Sequence, residues 1–144
     1  MLLDALEKLS AAQAFTVDAV STNTKDMGAS SPSREVGTGE PLCIVIFVDE
    51  AATGGGVYEF QAIQSAAENL GSPDILAIIR PAEAAMVAGA TFVLPIPAGS
   101  VTKRYLGLNF NNVSGTTGVT VTAYIQPVNM VQMTKNYAKN YPLT

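Results

Sequence analysis

Arg34-Glu35-Val36-Gly37-Thr38-Gly39-Glu40-Pro41-Leu42, running into Cys43-Ile44-Val45-Ile46-Phe47-Val48-Asp49-Glu50, decides the fold of this chain. Two glycines and a proline make a turn, and the chain then enters an unbroken apolar run over residues 42–48. With no polar face, such a run predicts a strand buried on both sides, either central in the fold or beneath a second subunit.

On the C-terminal side, Gly54-Gly55-Gly56 makes a turn into residues 57–65, where Tyr58, Phe60 and Ala62 alternate with Glu59, Gln61 and Ile63. Run, turn and alternating segment together predict a hairpin. Residues 66–73 favour one helical turn that Gly71-Ser72-Pro73 ends, and residues 75–79 are a strand. Residues 82–88 are a connection between Pro81 and Gly89. Residues 91–96 form the next strand, with Phe92, Leu94 and Ile96 on one face, and Pro95 and Pro97 place it at a sheet edge. The clearest alternation comes last. Leu106, Leu108 and Phe110 face one way, as do Val119, Val121, Ala123 and Ile125, and the polar loop 111–118 is expected to join the two into an antiparallel hairpin.

On the N-terminal side, Leu2, Leu3, Leu6 and Leu9 recur at helical spacing and Ser10-Ala11-Ala12-Gln13 has the form of a capping box, so residues 1–13 read as an arm with a short helix. Its apolar stripe packs on its own sheet or on a partner. From Phe15 the period becomes two, predicting a strand over residues 15–20, and a short edge strand is expected near residues 24–27. Ala29-Ser30-Ser31-Pro32-Ser33 is a loop. The reading is therefore an all-β antiparallel sandwich of seven to eight strands over residues 14–126, with a C-terminal arm over 127–144. That arm carries Lys135 and Lys139 and no acidic residue, and Val128, Met130, Val131, Met133, Tyr137 and Tyr141 are its apolar anchors. It lies either on a neighbouring subunit or as a strap across its own domain. The contact residues expected from sequence are thus Leu2, Leu3, Leu6, Met130, Met133, Tyr137 and Tyr141.

Composition narrows the function. The 144 residues are 48% hydrophobic and only 14% charged, which leaves apolar or neutral surface and favours a protein partner. A net charge of −4 argues against binding a phosphate backbone, and only Lys103-Arg104 are adjacent basic residues. No apolar run approaches the ~20 residues that span a bilayer, and no signal-peptide pattern opens the chain. The absence of histidine removes the commonest general base and most zinc catalytic sites, and no cofactor is expected. Cys43 sits in an apolar strand and reads as a buried thiol. Asp49-Glu50, as neighbours on a strand, are expected to point to opposite faces and not to act as an acid–base pair or hold calcium. A non-enzymatic protein is the expectation.

Lys103-Arg104-Tyr105-Leu106-Gly107-Leu108-Asn109-Phe110, taken with Met1-Leu2-Leu3-Asp4, residues 37–42, Ala88-Gly89, Phe92-Val93-Leu94-Pro95 and residues 119–125, carries a wider likeness in order and spacing. In these pieces the chain resembles the jelly-roll capsid cement, or decoration, proteins of certain short-tailed bacteriophages. The resemblance implies that the sandwich is jelly-roll-like, and that the protein is a homodimer that binds the outside of an assembled shell and stabilises contacts between major capsid protein subunits. It also implies synthesis in a bacterial host cytoplasm and residence on the virion exterior, with no nucleic acid or membrane partner. Gly107 and residues 51–56 and 66–73 depart from the family's look. A carbohydrate- or receptor-binding module of a phage particle is the alternative; it calls for a platform of exposed aromatics, and the chain has no Trp.

Overall fold

The computed structural model describes residues 8–28, 41–114 and 118–128. Its strands are β1 (Lys8–Phe15), β2 (Ala19–Val20), β3 (Lys25–Asp26), β4 (Leu42–Thr53), β5 (Val57–Ser65), β6 (Asp74–Ile79), β7 (Thr91–Pro95), β8 (Tyr105–Ser114) and β9 (Gly118–Pro127), with one 3₁₀ turn at Glu83–Ala85. One sheet has the order β1-β9-β4-β7; the other has β2-β8-β5-β6, with β3 also on β8. All pairings are antiparallel. Two four-strand rows of this order, with β2 and β3 sharing one position, make a jelly roll. No helix among the described residues is long and apolar enough to cross a membrane.

The alternation read from sequence sets the inner faces. Ile44, Ile46 and Val48 stand opposite Ile125, Ala123 and Val121, while Phe60 and Ala62 stand opposite Phe110 and Leu108. These rows interdigitate in one core with Leu9, Phe15, Tyr58, Met86, Leu94 and Ile96. Phe15 stacks on Phe110 with ring centroids 5.0 Å apart, and Phe60 and Tyr58 approach the same ring at 5.5 and 5.7 Å. Burying each such side chain stabilises the fold by about 1.5–3 kcal/mol. The Tyr58 hydroxyl satisfies its proton on the Thr53 carbonyl at 2.5 Å, with the Gly118 carbonyl at 3.2 Å.

The structure departs from the sequence expectations in several elements. Residues 8–13 are strand, not helix: Ser10 Oγ donates to Gln13 Oε1 at 2.7 Å, but Gln13 turns to the 20–22 segment, donating to the Val20 carbonyl and accepting from the Thr22 amide at 3.0 Å each. Pairing with β9 outweighs the local helical preference, and the mismatch is absorbed by register shifts on either side of Ser10 and by a left-handed Ala12 (φ 46°). The predicted strand over 15–20 breaks after Phe15, because residues 16–18 bend and leave Val17 67% exposed. Residues 66–73 form turns without a helix. Finally, neither predicted hairpin is paired within itself: β4 and β5 lie in opposite sheets, as do β8 and β9. The glycine turn joins strands of opposite sheets, and β8 runs to Ser114, through half of the expected 111–118 loop, before β9 opens in the other sheet at Gly118, a distinction that strand periodicity does not carry. The edge position of β7 and the short edge strand at Lys25–Asp26 agree with the sequence.

Candidate interaction surfaces

The first surface is the outer face of the β1-β9-β4-β7 sheet. Because side chains alternate, Cys43, Val45 and Phe47 point away from the core, beside Gln126, Tyr124 and Thr122 on β9 and Pro95, Val93 and Thr91 on β7. Cys43 and Val45 are 0% and 1% exposed even though they face outward, whereas Phe47 and Val93 are 38% and 36% exposed. β4 is therefore central, with both of its faces covered over residues 43–46. Cys43 Sγ donates to the Gln126 carbonyl at 3.3 Å, and burial pushes the thiol up to about 11. A proton so firmly held makes this a structural thiol at neutral pH. Burial likewise raises the Tyr124 phenol, with the Cys43 charge adding to the effect.

At the far end of β4 the pairing slips between Val48 and Glu50. This bulge undoes the expectation that Asp49 and Glu50 diverge. Asp49 Oδ2 accepts from the Thr122 hydroxyl at 2.6 Å and Glu50 Oε2 from the Thr120 hydroxyl at 3.3 Å, so both carboxylates are bound to the outward threonines of β9. Among the described residues no three His, Cys, Asp or Glu side chains gather as a metal would need.

The second surface is the outer face of β8, β5 and β6. Here Glu59 and Gln61 are 3% and 8% exposed, although their polarity in sequence points to solvent. Arg80 Nε donates to Glu59 Oε2 at 2.5 Å, Gln61 Nε2 donates to Glu59 Oε1, and Asn109 Nδ2 donates to Gln61 Oε1 at 2.9 Å. The Arg80 hydrogen bond, helped by those from Gln61 and Asn111, holds the Glu59 carboxyl below the usual range against the opposing effect of burial. Further along, the 66–73 turn lays Leu70 over Gly107, where a Cβ would stand 2.4 Å from Leu70 Cδ1. Leu70 is 2% exposed. At the sheet edge, Ile75 and Ile78 of β6 are 51% and 42% exposed.

The contact residues read from sequence, Leu2, Leu3, Leu6, Met130, Met133, Tyr137 and Tyr141, lie outside the described residues. What the sequence reading missed are Phe47, Val93, Ile75 and Ile78. The signal was present for Phe47, since a run without a polar face must put alternate apolar residues outward. The basic pair is divided: Lys103 Nζ meets Asp74 at 2.8 Å, and Arg104 grips both Asp26 carboxylate oxygens at 2.8 Å while lying 4.9 Å from the Tyr105 ring centroid. Both charges are thus engaged in fastening strand ends. A family model, Bbp16, matches residues 9–125, which run from β1 into β9. No curated protein matches the chain.

Proposed function

The chain belongs to the Bbp16 family, and from that premise we propose that it is a non-enzymatic cement protein on the exterior of a tailed-phage capsid. Its partner is the major capsid protein, which it holds against its neighbours as a homodimer. The observation that carries this reading is the placing of exposed apolar side chains on two opposite outer faces of one packed sandwich. Phe47 and Val93 stand on one sheet; Ile75 and Ile78 stand on the other. A clamp must meet at least two subunits, and it works by shape and contact area, with no reactive group required. The resemblance to phage cement proteins supplies the virus and the shell; the surfaces supply the means of gripping.

Undecorated shells mixed with the purified chain test this. Imaging should show added density on the outer surface, and decorated shells should rupture at higher temperature than bare ones. Phe47→Asp and Ile78→Asp, each at an exposed position, should leave the isolated chain folded and weaken attachment by roughly tenfold or more, the equivalent of about 1.4 kcal/mol. Shells that gain neither density nor durability would overturn the proposal.

A further inference from the structure

We propose that β6 is the edge through which two copies of this chain pair, antiparallel and about a two-fold axis, so that the β2-β8-β5-β6 sheets of both join into one continuous sheet. The proposal rests on the homodimer reading above and gives it an interface.

The sheet edges among the described residues differ in how they are guarded. A strand at the end of a sheet offers a row of unpaired amide and carbonyl groups, and proteins block such rows with short strands, bulges, proline or charge. β1 is broken by two register shifts and carries the left-handed Ala12. β7 has five residues and includes Pro95, and β2 and β3 have two residues each. β6 is different: after Asp74 it holds five apolar residues in a row, with no lysine or proline, yet not one of its residues is buried. Its register shift against β5 falls early, between the Ile75 and Ala77 pairings, and the ladder is regular from Ala77 to Ile79.

The parity of the ladder shows which backbone groups are free. Tyr58 N donates to the Pro81 carbonyl at 3.4 Å and Glu83 N to the Gly56 carbonyl at 3.3 Å, on either side of the Val57–Ala82 bridge. Bonded and non-bonded pairs alternate along an antiparallel ladder, so Ile79 and Ala77 bond to their partners Phe60 and Ala62, and Ile78 does not bond to Gln61. The Ile78 amide and carbonyl therefore point away from β5, out of the open edge. Pro81 falls on the bonded side, so its missing N–H faces β5 and does not block the outer row.

The occupant is a second copy because this edge is its own complement. Asp74 opens the strand and Arg80 follows it, with side chains 54% and 63% exposed. Antiparallel self-pairing sets the acidic end of each copy beside the basic end of the other and the apolar middle against its like, whereas parallel pairing would oppose like charges. Asp74 is steadied by Lys103 and Arg80 by Glu59, so both charges are held at the strand ends before pairing. One unguarded edge also closes the assembly at two copies, where two such edges would extend it into a fibre. The pairing consumes the edge and leaves the outer face open, bringing Ile75 and Ile78 of both copies onto one apolar strip that spans the two-fold.

The experiment combines sedimentation of the full chain over a dilution series with amide hydrogen exchange read at residues 77, 78 and 79. The wild-type chain should sediment as a dimer, with the Ile78 amide protected like those of Ala77 and Ile79. Ile78→Pro removes the outward N–H without touching a bond to β5, and Ile78→Lys sets a charge at the seam. Each variant should keep its strand structure by circular dichroism and raise the Kd of the dimer about tenfold or more. In the lysine variant the amide at 78 should exchange about tenfold faster or more than in the wild-type dimer, while those at 77 and 79 stay protected. If the proline variant fails to fold, the lysine variant and the wild-type exchange pattern decide. An unprotected Ile78 amide in a wild-type dimer, or folded variants that dimerise as tightly as wild type, would overturn the β6 interface and leave the dimer joined elsewhere. A wild-type monomer at every concentration would overturn the interface and the homodimer together. Every measurement uses the isolated chain in solution, so capsid attachment, read by imaging decorated shells, stands or fails separately.

Discussion

Gly107 and Leu70 show how one residue pair can fix a surface. Gly107 and residues 66–73 stand out separately in the sequence as departures from the resemblance, and in the structure they are one feature: the loop drops Leu70 into the space a side chain at 107 would fill. Leu70 reaches that place with a left-handed backbone (φ 58°), held by its amide on the Ala67 carbonyl at 3.0 Å and by Ser65 Oγ donating to the Gly71 carbonyl at 2.5 Å. Gly107→Val should therefore destabilise the chain by about 1–3 kcal/mol through overpacking. Leu70→Ala alone should cost about 2–3 kcal/mol by leaving a void. The double variant should be more stable than the sum of the two losses predicts, because each change makes room for the other. Additive losses in denaturant titrations would show that the two residues do not share this space.

At the scale of the element, β5 is the instructive strand. Its inner residues Tyr58, Phe60 and Ala62 were legible as core, but its outer residues Glu59, Gln61, Ile63 and Ser65 are buried as well. Periodicity tells which residues share a face and not what lies above that face. Here β6, β8 and the 66–73 turn enclose a polar ladder ending in the Arg80–Glu59 ion pair. The ladder makes stability depend on pH. The Glu59 carboxyl is held below its unfolded value, so its contribution is present above the ordinary carboxylate range and is lost as pH falls through the lowered folded value. Glu59→Gln should thus cost about 1–2 kcal/mol at neutral pH, in line with the loss of hydrogen bonds to a charged group. The gap between wild type and variant should close in acid. Melting curves whose separation is unchanged or widens toward low pH would contradict the role given to this carboxylate.

For the whole molecule, topology sets the cost of assembly. The first described strand pairs with the last, Phe15 opposite Val119, and β4 cannot be flanked until both β7 and β9 arrive. Few strand pairings here are local, with β5–β6 the one pair of full strands adjacent in both chain and sheet among the described residues. Folding of the isolated chain should accordingly take about milliseconds to seconds, the range of proteins ruled by non-local pairing. Stopped-flow refolding on the microsecond scale would be incompatible with the jelly-roll order.

The sequence alone determined the strands and their faces: residues 57–65 match β5 end to end, Leu106, Leu108 and Phe110 are inward, and Pro95 and Pro97 mark a true edge. These are short-range properties, set by side-chain alternation and by proline's missing donor. Only the tertiary structure decided which strands are neighbours. It turned two expected hairpins into crossings, made a strand of residues 8–13 against their helical spacing, and brought Asp49 and Glu50 to one face through a bulge. It also decided which outward residues stay in water, leaving Phe47, Val93, Ile75 and Ile78 exposed while Cys43 and Glu59 are closed over. Exposure depends on what the rest of the chain lays on a face, and that information is spread over residues far apart in sequence.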